Sequence, residues 1–271
     1  MKPAPLIGVI SIGVALLLTL PVEAKSMEFV STDTPPYWSS KLPENGFGGS
    51  ILHLISAAAD VTYAIKYLPV KRYSTSVAPF IVGDPDLLTN QKDRAIFPIG
   101  VFYSAFFFYR PHHEVIKVHS MKDMKGHTLG VLRGSIEDKA EFVRQGVKVE
   151  ENDSVESLLK KLKKGRIDFC ILVAGSGRYM IQQLFPDEQE SFSQEIIPAL
   201  TRPITIMIDM HDTEGRMIAQ RYRQVLSKTL HSKNYQSIME GFYDKDYIPV
   251  NRNAKLDKFI KYYANTWTEK K

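Results

Sequence analysis

The stretch Thr128–Val143, TLGVLRGSIEDKAEFV, decides how the chain is read. Thr128–Leu132 is a short apolar strand, Gly134-Ser135 breaks it, and Ile136–Gln145 continues with the spacing of an amphipathic helix. Ser135 followed three residues later by Asp138 fits a helix N-cap with an acidic partner. A strand that ends in a small polar turn at a helix start leaves backbone N–H groups unpaired. Together with the helix dipole they make a seat for an anion. Arg133, one residue before the turn, adds a forked cation to that seat. The same residues also suit a plain capped helix with a solvated Arg133, so the stretch is weighed with its neighbours.

Downstream, the alternation continues through strand Val147–Glu150, helix Ser154–Lys164 and strand Ile167–Val173. In that helix Asp153 and Glu156 read as a capping pair. Val155, Leu158, Leu159 and Leu162 form one apolar stripe, and Gly165 closes the element. Upstream, Met27–Ser31 is a strand that runs into Pro35-Pro36-Tyr37-Trp38, which can be neither helix nor interior strand. A helix begins near Ser50, Val61–Leu68 alternates like a strand, and Pro69–Phe80 reads as a helix with Val70, Tyr73 and Val77 inward. Asp86–Thr89 and Arg94–Phe97 are brief extended pieces. Val101–Arg110 is an aromatic strand that passes from one unit to the next. Ile196–Thr201 marks a return passage, Ile204–Met210 is a strand, and helices follow over Thr213–His231, Asn234–Phe242 and about Ala254–Thr266.

This order predicts an α/β fold of two lobes, each a mixed sheet flanked by helices. Residues 25–108 and 204–271 form lobe 1, and 109–203 form lobe 2. Hinge strands near Tyr109–Pro111 and Ile197–Pro203 join them. A ligand would sit in the cleft between, outside the carboxyl ends of the strands.

Bulk properties agree with an ordinary globular chain. Of 271 residues, 44% are hydrophobic and 24% charged, and the net charge of +5 is spread along the sequence, which argues against nucleic-acid binding. Residues 1–24 read as a cleavable export signal: Lys2, the apolar run Leu6–Leu20, Pro21, and small-residue cleavage after Ala24. An uncleaved anchor is the rival, but the run is short for a membrane span. Cys170, the single cysteine, excludes an internal disulfide and a cysteine-based zinc site, and a buried position in its strand suits it. Of the seven histidines, only His112 and His113 adjoin, and on a strand they would face opposite ways. No metal site and no cofactor is expected. No nucleotide or nucleophile-elbow fingerprint occurs, and Gly175-Ser176-Gly177 reads as a plain turn.

Four pieces in order carry a resemblance: FVSTDTPPYW, GFGGSILHLISAA, LGVLRGSIED and SLLKKLKKGRIDFCIL. From about Met27 to about Tyr247 the chain resembles the extracellular solute-binding proteins of family 3, the periplasmic binding proteins that deliver polar amino acids and similar solutes to ABC transporters. The resemblance implies a periplasmic, monomeric protein whose partners are a small-molecule ligand and a membrane permease. Tyr37 or Trp38 would line the cleft from lobe 1. Arg133 and Ser135 would hold a ligand carboxylate from lobe 2, and Arg94 would fork onto the same group from lobe 1. The chain also departs from the pattern. Phe97 follows Arg94 too closely, and Val173 stands where amino-acid binders carry an aspartate for the ligand's amino group. Ser176 and Arg178 offer hydroxyl and positive character there instead. The expected ligand is therefore an anion, an organic acid, a modified amino acid or an aromatic solute. A sensory or accessory protein for a membrane receptor is the alternative. An enzyme of dehydratase or lytic type, using Glu44, Glu137 or Glu141, is a second one, which lacks a catalytic constellation.

Overall fold

The computed structural model describes residues 26–112, 117–118, 120–135, 139–243 and 251–267. The export segment therefore lies outside the described residues, as do His113, His119, Glu137 and Asp138. Lobe 1 opens with β1 (Met27–Ser31), α1 (Gly46–Ala58), β2 (Tyr63–Tyr67), α2 (Val70–Ser74) and β3 (Phe80–Gly83). β4 (Arg94–Tyr109) crosses into lobe 2, which holds β5 (Thr128–Leu132), α3 (Lys139–Arg144), β6 (Lys148–Asn152), α4 (Val155–Lys163), β7 (Phe169–Val173) and α5 (Ala174–Leu184). β8 (Phe192–Asp209) returns, and α6 (Thr213–Leu230), α7 (Lys233–Phe242) and α8 (Arg252–Tyr263) complete lobe 1.

The two mixed sheets are joined into one ladder of order β2-β1-β3-β8-β4-β7-β5-β6. Parallel pairs β1–β2, β1–β3, β5–β6 and β5–β7 form the outer parts of both lobes. The antiparallel β4–β8 ribbon runs through both. Its first half, Arg94–Gly100 against Ile204–Asp209, belongs to lobe 1. β4 pairs with β7 from Ser104 onward. β4 ends at Tyr109, paired with Phe192, so the hinge position expected at Tyr109–Pro111 falls at the end of the ribbon, beyond the point where the two lobes meet. The register breaks instead at Tyr103/Ser104, where Thr201 and Ile197 are successive partners. The three extra residues on β8, Pro198 to Leu200, bulge out of the ladder between the lobes.

Packing follows from the pleat. On β4, Phe106 and Phe108 meet Leu129 and Phe169, while Ala105 and Phe107 turn to the face covered by α4 and α5 with Leu158, Leu162 and Ile181. In lobe 1, α1 buries Ile51, Leu52 and Ile55, each side chain contributing about 1.5–3 kcal/mol. The buried Ser56 and Tyr222 hydroxyls, 2.8 Å apart, tie α1 to α6. Cys170 is fully buried, and burial pushes its thiol pKa well up. Among the described residues no helix is long and apolar enough to cross a membrane.

Four local expectations are corrected. The helix read over Pro69–Phe80 stops at Ser74, and Phe80–Gly83 is a buried strand. Tyr73 points inward, but Val70 and Val77 are exposed, because β3 rather than a helical face fills that layer. Gly175-Ser176-Gly177 is the first turn of α5 rather than a loop. The N-cap of α4 is Ser154, whose Oγ accepts the Ser157 N–H at 3.1 Å.

Candidate functional site

The loop after β1 is tied down at both ends. Thr34 N–H donates to Trp38 O at 2.7 Å. The first-turn N–H groups of α1, which have no partners inside the helix, donate to the loop: Phe47 to Pro36 O at 3.0 Å and Gly48 to Tyr37 O at 2.8 Å. Gly48 is needed here because a Cβ would come within 2.4 Å of the Trp38 ring. Tyr37 and Trp38 are thereby almost wholly buried. Tyr37 packs edge-on against Phe102 of β4, ring centres 4.6 Å apart.

Two contacts from lobe 2 close over this loop. The Gly175 N–H donates to the Tyr37 hydroxyl, whose pKa burial raises well above its ordinary value. Ser176 Oγ donates to Pro35 O at 3.0 Å. Both donors sit in the first turn of α5, at the carboxyl end of β7. The lobes are therefore in contact where their strands end.

Behind these contacts lies a cavity of about 100 Å³, room for about three waters. It is bounded by the ends of β1 (Ser31, Thr32) and β3 (Gly83, Asp84), by Trp38, by Val173 and Ser176 of lobe 2, and by Phe102 and Arg202 of the crossing strands. Asp84 is its electrostatic centre. One carboxylate oxygen accepts the Asp86 N–H at 3.0 Å, and the other lies 3.0 Å from Arg202 Nη1. The Asp84 side chain is 6% exposed and that of Arg202 40%. Burial raises the Asp84 pKa from 3.8 to about 6, with Arg202 opposing the shift. The buried Trp38 indole N–H has no hydrogen-bond partner among the described residues. The cavity thus presents an acceptor carboxylate and a cation on a crossing strand, with the Trp38 ring as part of its wall. The cleft does contain a carboxylate after all: lobe 1 supplies it, although Val173 leaves the lobe 2 position apolar.

Of the residues singled out from sequence, Tyr37, Trp38 and Ser176 come together around this cavity. Arg94 does not. It starts β4 opposite Asp209, at the outer end of lobe 1, and donates to Ala78 O at 2.9 Å. Phe102 lies eight residues further along the strand, about 26 Å away at the usual rise. Burial lowers the Arg94 pKa and Asp209 opposes this, so Arg94 is an internal tie of lobe 1.

Arg133 lies on the exposed rim of lobe 2. Its Nε bonds Asp153 at 2.7 Å and its Nη1 is 3.8 Å from Glu151. The Asp153 hydrogen bond and the adjacent carboxylates raise the Arg133 pKa. Ser135 Oγ donates to Leu132 O at 2.7 Å across a tight turn, and Asp138, its expected capping partner, lies outside the described residues. The described part of α3 begins at Lys139. Neither Arg133 nor Ser135 lines the cavity. Sequence reading missed Asp84 and Arg202. The available signal was Gly83-Asp84-Pro85 at the end of an apolar tetrad, hidden once Phe80 was assigned to a helix.

No protein-family profile and no curated protein matches the chain by sequence. Solved structures do match its fold. One is the GluR0 ligand-binding core in complex with L-glutamate, with a TM-score of 0.56 and 10% identity over 81% of this chain and 97% of that one. A histidine kinase sensor domain with similarity to periplasmic binding proteins gives 0.57 and 12%, over 81% and 96%. An ancestral arginine-binding protein bound to glutamine gives 0.55 and 16%, over 81% and 98%. These likenesses span both lobes and the crossing strands, and the chain has the two-lobed, type II periplasmic-binding-protein fold.

Proposed function

We propose that the protein captures a small amino-acid-like or anionic solute between its lobes and presents it to an ABC-type importer. The observation that carries this is the buried Asp84 facing Arg202 in a cavity where both lobes meet. A zwitterion offers an ammonium to the first and a carboxylate to the second, so one ligand replaces an internal ion pair with two external ones. The solved proteins of this fold hold L-glutamate, glutamine or arginine, which supports the same ligand class here.

In this reading the protein is an exported, periplasmic monomer. Closing of the clamp is a population shift set by the ligand's preference for the closed form. The sensor domain among the matching folds supports a second reading, in which a membrane receptor rather than a permease reads the closed form. A precursor of cyclohexadienyl dehydratase also has this fold. Of the carboxylates weighed for catalysis, Glu137 lies outside the described residues, and the other two do not favour that route. Glu44 is exposed, Glu141 is bonded to Arg144, and neither lines the cavity.

Calorimetric titration with L-amino acids and small dicarboxylates tests the proposal. Saturable one-to-one binding of one class, weakened in Asp84→Asn, is expected. The absence of binding throughout the panel, or turnover of a bound compound, would overturn it.

A further inference from the structure

A second, larger cavity of about 480 Å³ lies across the crossing strands from the first, within the range of small-molecule sites, about 300–1,000 Å³. The pleat of β4 separates the two: Phe102 lines the Asp84 cavity and Tyr103, the next residue, lines this one. Its floor is Tyr103 with Gln194 of β8. One wall is the face of α5 that bears Arg178 and Tyr179, and the other is Tyr37 with Phe242 at the end of α7. It too touches both lobes.

Two of its polar groups have no partner in the described protein. Tyr103 is 5% exposed, yet its hydroxyl has no hydrogen-bond partner among the described residues, and neither has Gln194 Oε1. Leaving such a group unpaired is costly, and each one calls for an explanation. No carboxylate lines the cavity among the described residues, and Arg178 is the formal charge in its lining. The aromatic rings give it flat apolar walls.

We propose that this cavity is a second small-molecule site, which takes an aromatic carboxylate carrying an O–H or N–H. The carboxylate accepts from the Tyr103 hydroxyl in the field of Arg178. The ligand's own donor meets Gln194 Oε1, and its ring lies between Tyr179 and Phe242. The inference stands apart from the solute reading of the Asp84 cavity.

Indole-3-acetate is a suitable probe, titrated calorimetrically into the wild-type protein and into Tyr103→Phe, Arg178→Gln and Asp84→Asn. Saturable binding is expected, weakened about tenfold in Tyr103→Phe, as loss of one hydrogen bond to a charged group implies. Arg178→Gln weakens it further, and Asp84→Asn leaves it unchanged. Tyr103→Phe should keep or raise the melting temperature, since it removes an unpaired hydroxyl, so loss of binding there reports the site and not the fold. No saturable heat up to about 10 mM probe, a concentration at which only negligible affinity is missed, overturns the proposal. So does binding abolished by Asp84→Asn and untouched by Tyr103→Phe.

Discussion

Replacing Asp84 with asparagine isolates the cost of its burial. In the folded protein the carboxyl titrates at about 6, against 3.8 in the open chain. The gap of about two pH units, at 1.36 kcal/mol each, is worth about 3 kcal/mol. The sign follows from the raised value. Below about pH 3 both states are protonated and the burial carries no ionic penalty. As the pH climbs to about 6 the unfolded chain ionises while the folded one still holds its proton, so stability falls; above that it levels off. Asparagine keeps the shape and the acceptor for the Asp86 N–H but does not titrate. Urea unfolding of both proteins from about pH 3 to about pH 7 should show the stability difference moving by about 3 kcal/mol in favour of asparagine as pH rises. Every other titrating group is common to both proteins and cancels in that difference. Parallel curves, or a difference moving the other way, would refute the claim that the carboxyl is held in a desolvated site.

Further outcomes follow from the same geometry. If the bound solute carries an ammonium, its affinity should rise with pH through about 6 and fall about tenfold per pH unit below, because only ionised Asp84 accepts it; calorimetry across that range checks this, and a flat profile removes Asp84 from the ligand's contacts. In Gly175→Ala the new Cβ falls 2.6 Å from the Tyr37 hydroxyl, so the lobes should part, seen as a larger radius of gyration by X-ray scattering and affinity reduced about tenfold or more by overpacking. Gly48→Ala, driven 2.4 Å from the Trp38 ring, should cost about 1–3 kcal/mol in chemical denaturation. Arg133→Ala, which removes an exposed ion pair with Asp153, should leave both the melting temperature and solute affinity unchanged.

Much of the architecture was legible because it is written in local patterns. Thr128–Leu132 matches its strand, and the stripe of Val155, Leu158, Leu159 and Leu162 matches α4, since a helix of that length with one apolar face has few alternatives. The crossing strand was read from the aromatic run Val101–Arg110 and the return from Ile196–Thr201, and both lie within the long strands β4 and β8. Less was legible where tertiary pairing overrode local signals. Phe80–Gly83 is four residues long and gains its strand character from burial between β1 and β8. Val70 and Val77 mimicked a helical face that no helix uses. Arg94 drew attention through the family resemblance, yet its partners are Ala78, just before β3, and Asp209, its opposite on β8, and only the assembled sheet brings them together. Tyr37, Trp38 and Ser176 were findable because they adjoin a Pro-locked loop and a Gly-rich turn. Asp84 and Arg202 were not, being 118 positions apart and joined only by the fold.

That pairing also fixes how the cavity can open. Asp84 is the immobile partner: it is buried, and one oxygen is held by the Asp86 N–H two residues on. Arg202 is half-exposed and stands just beyond the bulge of β8, where the ladder register is already broken. With a void of only about 100 Å³, a solute larger than a few waters must displace something, and the guanidinium is the group with somewhere to go. In the proposed reading, an ammonium that took its place beside Asp84 would leave Arg202 at the mouth of the cleft, free to meet a carboxylate on the same solute. The exchange retains a counter-charge for the buried carboxylate throughout, which a neutral solute could not supply. If the proposed solute site is right, discrimination for charged over neutral solutes would therefore draw on the cost of stranding Asp84.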